Sequence, residues 1–198
     1  MRKPLELCKP VAKQVVPTGP DWIHEIKYDG YRGRVIRDGK DVKVLSRSGL
    51  DWTWRYPWIG EAASMIRVSR FEIDGEICVL DVRGISQFDW LHSNRHNDAA
   101  QLYAFDLLTF DGDDLRTLPL EARKSKLAKL LERRPEGTFV APYERGEIGP
   151  DLFHAACQMN LEGLVSKHLG RQYRPKTCDW VKVKNRHHPA FRRVVDQF

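Results

Sequence analysis

Between Phe71 and Leu80 apolar and polar residues alternate: Phe71, Ile73, Ile77 and Val79 fall on one side of an extended chain, and Glu72, Asp74, Glu76 and Cys78 on the other. A period of two is a strand period, and a strand with one apolar face needs backbone partners and a layer to cover that face. The segment therefore commits the chain to a sheet, and other segments supply partners for it. Trp22 to Tyr28 alternates, with Glu25, Lys27 and Asp29 along one side and Ile26 and Tyr28 along the other. Arg34 to Arg37 and Val42 to Leu45 flank Asp38-Gly39, a dipeptide suited to a tight hairpin. Leu102 to Phe110 (closed by Asp111-Gly112), Thr138 to Tyr143, Leu161 to His168 and Trp180 to Asn185 complete the predicted strands. Helices are predicted from Pro57 to Ile66, with Ile59, Ala62, Ala63 and Ile66 inward, from Pro119 to Arg134, with Leu120, Leu127, Leu130 and Leu131 as its stripe, and from Asp151 to Met159. Strands and helices do not alternate strictly. The pattern predicts an α+β fold with largely antiparallel sheets flanked by helices, and argues against a doubly wound parallel sheet.

Charge is distributed unevenly. Of the formal +6 on 198 residues, the stretch from Lys167 onward carries +7 and the remainder about −1. A basic C-terminal quarter suits a polyanion such as nucleic acid or a nucleotide phosphate. No apolar run approaches the ~18 residues of a membrane span. Met1 to Glu6 has neither the apolar run nor the cleavage site of a secretory signal, so an intracellular, cytoplasmic protein is expected, nucleoid-associated if bacterial. Cys8, Cys78, Cys157 and Cys178 lie far apart with no C-x-x-C pair, which excludes zinc-finger spacing and gives no disulfide framework. No repeat or linker divides the chain, and a single domain over residues 1–198 is expected, behaving as a monomer.

Three groups of residues carry chemistry. Lys27-Tyr28-Asp29-Gly30 puts a lysine at a strand end, where neighbouring cations or desolvation can make it a nucleophile. The alternative is a solvated lysine beside an ordinary turn. Asp74 and Glu76 share the polar face of one strand, and Glu162 precedes another. Carboxylates of this kind favour Mg2+ or Mn2+ over zinc, the alternative being a solvent-facing sheet edge. Gly75 between the two acids allows a backbone or ligand to approach closely. Val181 and Val183 alternate with Lys182 and Lys184, so both ammonium groups share one face, suited to phosphate or to a protected edge strand.

Lys27-x-Asp29-Gly30 with Arg32, Asp74-Gly75-Glu76, Phe105-Asp106, Glu162-Gly163-x-Val165-x-Lys167 and Lys182-x-Lys184 stand in the order of the covalent nucleotidyltransferase motifs. From Pro10 to Asn185 the chain resembles the adenylation domain of ATP-dependent DNA ligases. Trp22-Ile23-His24-Glu25-Ile26-Lys27-Tyr28-Asp29-Gly30-Tyr31-Arg32 points to the ligase module of bacterial end-joining ligases. The resemblance implies an ATP-grasp-like adenylation fold, ATP as co-substrate with AMP held covalently, a Mg2+ or Mn2+ ion, and nicked double-stranded DNA as partner. It implies that Lys27 is the nucleophile, that Glu25 reads the adenine amino group, and that Phe105 stacks on adenine. Ile26, Arg32 and Glu76 would also contact the nucleotide, with Glu162 and Glu76 at the metal. Lys167, Lys182 and Lys184 would neutralise phosphate, and Arg47 within Ser46-Arg47-Ser48-Gly49 would meet the DNA backbone together with Arg32.

Two features depart from the simplest pattern. Glu162 and Lys167 are five apart, so an ideal strand sends them to opposite faces unless the chain bends or bulges near Gly163. Only 14 residues follow Lys184. The expectation is therefore that no OB-fold domain follows, that Arg192 and Arg193 lie on a mobile tail, and that a partner protein supplies an OB-fold or a DNA-end-binding function. An RNA ligase, a capping-type guanylyltransferase and an inactive nucleotide- or DNA-binding remnant are the alternative readings.

Overall fold

The computed structural model describes residues 6–133 and 136–193. Its strands are β1 (Val11–Ala12), β2 (Trp22–Ile26), β3 (Tyr31–Asp38), β4 (Asp41–Ser46), β5 (Arg70–Cys78), β6 (Gln101–Phe110), β7 (Asp113–Asp114), β8 (Thr138–Val140), β9 (Tyr143–Arg145), β10 (Gly163–His168) and β11 (Trp180–Lys184). The α-helices are α1 (Pro57–Met65), α2 (Phe88–His92), α3 (Leu120–Leu130) and α4 (Gly149–Gln158). The predicted α+β class with largely antiparallel sheets is the class observed. The helix predicted to run to Arg134 ends its regular part at Leu130, and Arg134 itself lies outside the described residues. Among the described residues no helix is long and apolar enough to cross a membrane.

Contacts group the chain into two compact units, each built on one sheet. The first takes the described residues among Met1–Tyr28, Leu118–Glu121 and Pro142–Asp196. Its sheet runs β1-β11-β10-β2-β9, antiparallel except for β1 on β11. Period two divides the sheet into an apolar face and a charged one. Leu164, Val181 and Val183 pack with Val16 and with Ala156 of α4, joined by Ile26, Leu152 and Phe153. On α4, Pro150 in the first turn needs no donor and Asp151 complements the helix dipole. The opposite face carries Glu25, Val165, Lys167, Trp180 and Lys182, as the register dictates.

The second unit takes Asp29–Thr117 and the described residues of Ala122–Ala141. Its sheet runs β4-β3-β5-β6-β7, with β8 parallel to β6. Val35, Val44, Phe71, Ile73, Ile77 and Leu102 are buried along with Ile59, Ala62 and Ala63 of α1, whose i, i+3, i+4 spacing makes one apolar stripe. The alternating strand that commits the chain to a sheet is β5, at the centre of this one, so its polar face is no solvent edge. Asp74 and Cys78 are both 0% exposed, and burial pushes the Cys78 thiol well above its ordinary range.

Three segments differ from expectation. Thr138 to Tyr143 is two strands in two sheets, because Pro142 lacks the N–H that would continue the ladder after Ala141 N donates to Ala104 O. β11 is not an edge strand, since the two-residue β1 pairs along its outer side. Residues 185–191 fold back instead of trailing. His188 accepts from Ala190 N, Lys184 Nζ donates to Ala190 O at 3.2 Å, and Ala190 is buried.

Candidate active site

In the first unit the strand end at Lys27 is fixed by its own backbone, whose N–H donates to Gly163 O at 2.9 Å. Its ammonium lies 2.6 Å from Glu162 Oε2, while Lys184 Nζ lies 2.9 Å from Glu162 Oε1. One carboxylate is thus clasped by two lysines. The acid is 3% exposed and the lysines 21% and 27%, so the acid is sheltered and the ammonium groups reach solvent. Glu162 is held in turn by Asn185, whose N–H donates to Glu162 O and whose Nδ2 donates to Leu161 O.

Gly163 is the device that makes this possible. Its φ is +141°, and a Cβ there would lie 2.1 Å from Val183 O. Only glycine permits the chain to kink at that point against β11. The kink lets Glu162, just before β10, and Lys167, within it, serve the same face of the sheet. The bend expected near Gly163 is present. Lys167 Nζ lies 2.6 Å from Glu25 Oε2 and 4.2 Å from the Trp180 ring centroid. With Lys182 on the same face, four lysines stand against two glutamates, an excess of positive charge suited to an anion. Ile26 turns the other way, into the core over α4.

The second unit presents a separate constellation. Arg32 Nε and Nη2 donate to Asp74 Oδ1 and Oδ2 at 2.9 and 2.6 Å, a bidentate pair. The Arg32 guanidinium also lies 5.4 Å from the Phe105 ring centroid. Phe105 owes its position to a β-bulge. Asp74 pairs with Asp106 and Gly75 with Ala104, leaving Phe105 as the extra residue between them. Glu76 lies in a row across four strands, Arg32, Glu76, Tyr103 and Phe139, with the last two rings stacked at 5.4 Å. The close approach predicted at Gly75 is made by protein, its would-be Cβ lying 2.9 Å from Tyr103 O. Arg47 is exposed on the turn after β4, where Ser46 Oγ accepts from Leu50 N.

Sequence reasoning missed Trp180 as the bed of Lys167, though period two with Lys182 and Lys184 was a signal for it. It also missed Arg123. That guanidinium is fully buried and clamps Asp106 at 2.7 and 2.9 Å, which makes Asp106 a structural acid. No sequence spacing announces a partner on a helix.

Carboxylate oxygens are the donors a hard divalent cation takes. Among the described residues no group of three or more His, Cys, Asp or Glu could hold a metal, so a protein-only cage is not built. Glu162 fits the other mode, in which one or two carboxylates share the ion with substrate phosphate and water.

The family model for the ATP dependent DNA ligase domain matches residues 5–184. The multifunctional non-homologous end joining protein LigD of Pseudomonas aeruginosa is 37% identical over 172 residues, covering 85% of this chain and 20% of that protein. A DNA ligase of Pyrobaculum calidifontis is 30% identical over 192 residues, covering 88% of this chain and 33% of its own. The ligase domain of Mycobacterium tuberculosis LigD superposes with a TM-score of 0.74 at 29% identity, over 90% of this chain and 60% of that one. A mycobacterial DNA ligase D complexed with ATP and MES gives 0.74 at 30% identity, with the same coverage. The chain spans about a fifth of the length of the LigD relatives it matches.

Proposed function

The chain belongs to the family of ATP-dependent DNA ligase domains, and from that premise we propose that it is the adenylation part of a ligase that joins nicked double-stranded DNA in repair. Lys27 Nζ, relieved of a proton, attacks the α-phosphorus of ATP. The P–N bond forms as the bond to the β-phosphate oxygen breaks, and pyrophosphate leaves with the electron pair. A DNA 5′-phosphate oxygen then attacks the same phosphorus, the P–N bond breaks, and Lys27 regains its proton. Attack by a 3′-hydroxyl on the adenylated 5′-phosphate joins the strands and releases AMP. The observation that carries this reading is the Glu162 carboxylate clasped between the Lys27 and Lys184 ammonium groups. A carboxylate and a second cation beside Lys27 support that reading, because positioning with charge neutralisation supplies most of the catalysis in such transfers.

The remaining roles follow residue by residue. In the first unit Glu25 reads the base, Lys182 and Lys184 meet phosphate, and Ile26 contributes only backbone. In the second unit Phe105 stacks on the base, Arg32 and Glu76 meet the nucleotide, and Arg47 and Arg32 meet DNA. A Mg2+ or Mn2+ ion held through Glu162 would neutralise phosphate charge.

The test is covalent labelling with α-labelled ATP, together with intact mass. Wild type should gain one AMP. Lys27→Ala should gain none, and Lys27→Arg none, because a guanidinium stays protonated. Label persisting in both variants would refute Lys27 as nucleophile. GTP competing as well as ATP would favour a capping-type enzyme.

A further inference from the structure

Lys167 is poorly placed for a phosphate contact. Its side chain is 2% exposed, against 27% for Lys184. An anion arriving from solvent meets the second ammonium before the first. What surrounds Lys167 is specific. Its Nζ is 2.6 Å from Glu25 Oε2, that acid being 5% exposed, and 4.2 Å from the face of Trp180, itself buried. Backbone register sets the trio. Lys167 lies directly opposite Trp180 on β11, and Glu25 lies opposite Val165, one diagonal step from Lys167. Neighbours of this kind on one sheet face meet by construction.

We infer that Lys167 is a positioning residue for base selection: it holds the Glu25 carboxylate ionised and aimed, so that Glu25 accepts from a purine amino group and rejects a purine carbonyl at the same place. The inference rests on the proposed reading of Glu25 as the base-contacting acid. An ionised carboxylate only accepts hydrogen bonds. The amino group of adenine donates to it, whereas guanine presents an oxygen there and two acceptors repel. An adjacent ammonium favours this acceptor-only form. Without it, a carboxyl group buried to this degree is pushed toward its neutral form, whose O–H donates to a carbonyl and erases the distinction. The indole face keeps the lysine charged where little water reaches it. Lys167 thus acts through Glu25, and through the base end of the nucleotide only.

The experiment measures ATP and GTP affinities by calorimetry for the full chain and for Lys167→Met, Lys167→Arg, Glu25→Gln and the double variant Glu25→Gln/Lys167→Met. Lys167→Met should lower the ATP/GTP affinity ratio by about 10- to 150-fold, the worth of a hydrogen bond to a charged group. Lys167→Arg should restore most of the ratio. The double variant should discriminate no worse than Glu25→Gln alone, because the lysine acts through the acid. Equal losses for ATP and GTP in Lys167→Met would overturn the inference in favour of a phosphate contact. A double variant that loses the two single effects additively would overturn it as well. Should Lys167→Met fail to fold with its acid left uncompensated, the double variant, which removes both charges, carries the comparison against Glu25→Gln. A wild type that prefers ATP but never labels Lys27 would refute the adenylation reading alone. One that labels Lys27 while the Lys167→Met ratio stays unchanged would refute this inference alone. A wild type without ATP preference would refute it outright.

Discussion

Replacing Gly163 by alanine perturbs the site without touching any of its functional groups. The new Cβ would lie 2.1 Å from Val183 O and 3.0 Å from Lys184 Cα, both backbone atoms of β11 that no side-chain rotation can clear. The residue would also have to hold a φ of +141°, which costs an L-residue roughly 1–3 kcal/mol. Forcing β10 and β11 apart adds an overpacking cost of roughly 1–3 kcal/mol. The expected loss is roughly 2–6 kcal/mol, or about 4–24 °C in melting temperature for a chain of this size. Relief by unkinking would carry Glu162 away from Lys27 and Lys184, so labelling should fall by about 100-fold or more even in the folded fraction, since a misplacement near 1 Å can cost that much. The assay pairs thermal unfolding with α-labelled ATP incorporation, normalised to folded protein. An alanine variant that melts with wild type and labels at the wild-type rate would refute the claim that the kink builds the site.

Three further outcomes are expected. Phe105→Ala should weaken ATP binding by about 5- to 150-fold, the worth of one base–aromatic stack of roughly 1–3 kcal/mol, while Phe105→Tyr and Phe105→Trp stay near wild type. Equal affinities for the alanine and tyrosine variants would return Phe105 to ordinary packing. Arg47→Ala should weaken binding to nicked DNA and lower the slope of log affinity on log salt by about 0.9, the signature of one lost phosphate contact. An unchanged slope would place Arg47 off the DNA. Glu162→Gln should impair labelling with little change in melting temperature, because amide and acid match in volume, and a fall of many degrees would make Glu162 a structural residue.

Much of the second sheet could be read from alternation, because β5 buries one row of side chains and the period shows it. Where burial is two-sided the period goes quiet. The run Asp106-Leu107-Leu108 is buried throughout, since two register shifts between β5 and β6 break the alternation. The bulge that aims Phe105 was therefore hidden. Thr138 to Tyr143 looked like one strand because periodicity carries no information about which sheet a strand joins, and only Pro142 hinted at the break. The lysine face was legible at Lys182 and Lys184 from simple spacing. Lys167 was legible as a member of that face but not in its burial, which depends on Trp180 lying across the strand pair and on Glu25 one strand further over. The kink at Gly163 was legible from the five-residue spacing of Glu162 and Lys167, whereas the bulge and the distant partners were beyond any local pattern.

The pairing of Asp74 with Asp106 in register has a consequence for how the second unit assembles. Two carboxylates face each other across β5 and β6, both fully buried, and neither strand neutralises the other. Relief comes from elsewhere: Arg32 of β3 forks onto Asp74, and Arg123 of α3 forks onto Asp106. The β5–β6 ribbon is therefore self-repelling at neutral pH until both arginines arrive, and its amides should gain protection from exchange only together with those of β3 and α3. Pulse-labelled hydrogen exchange during refolding reads this directly. Early protection of β5 and β6 alone at neutral pH would contradict it. The central β5–β6 pair is thereby the part of the sheet that waits for the rest.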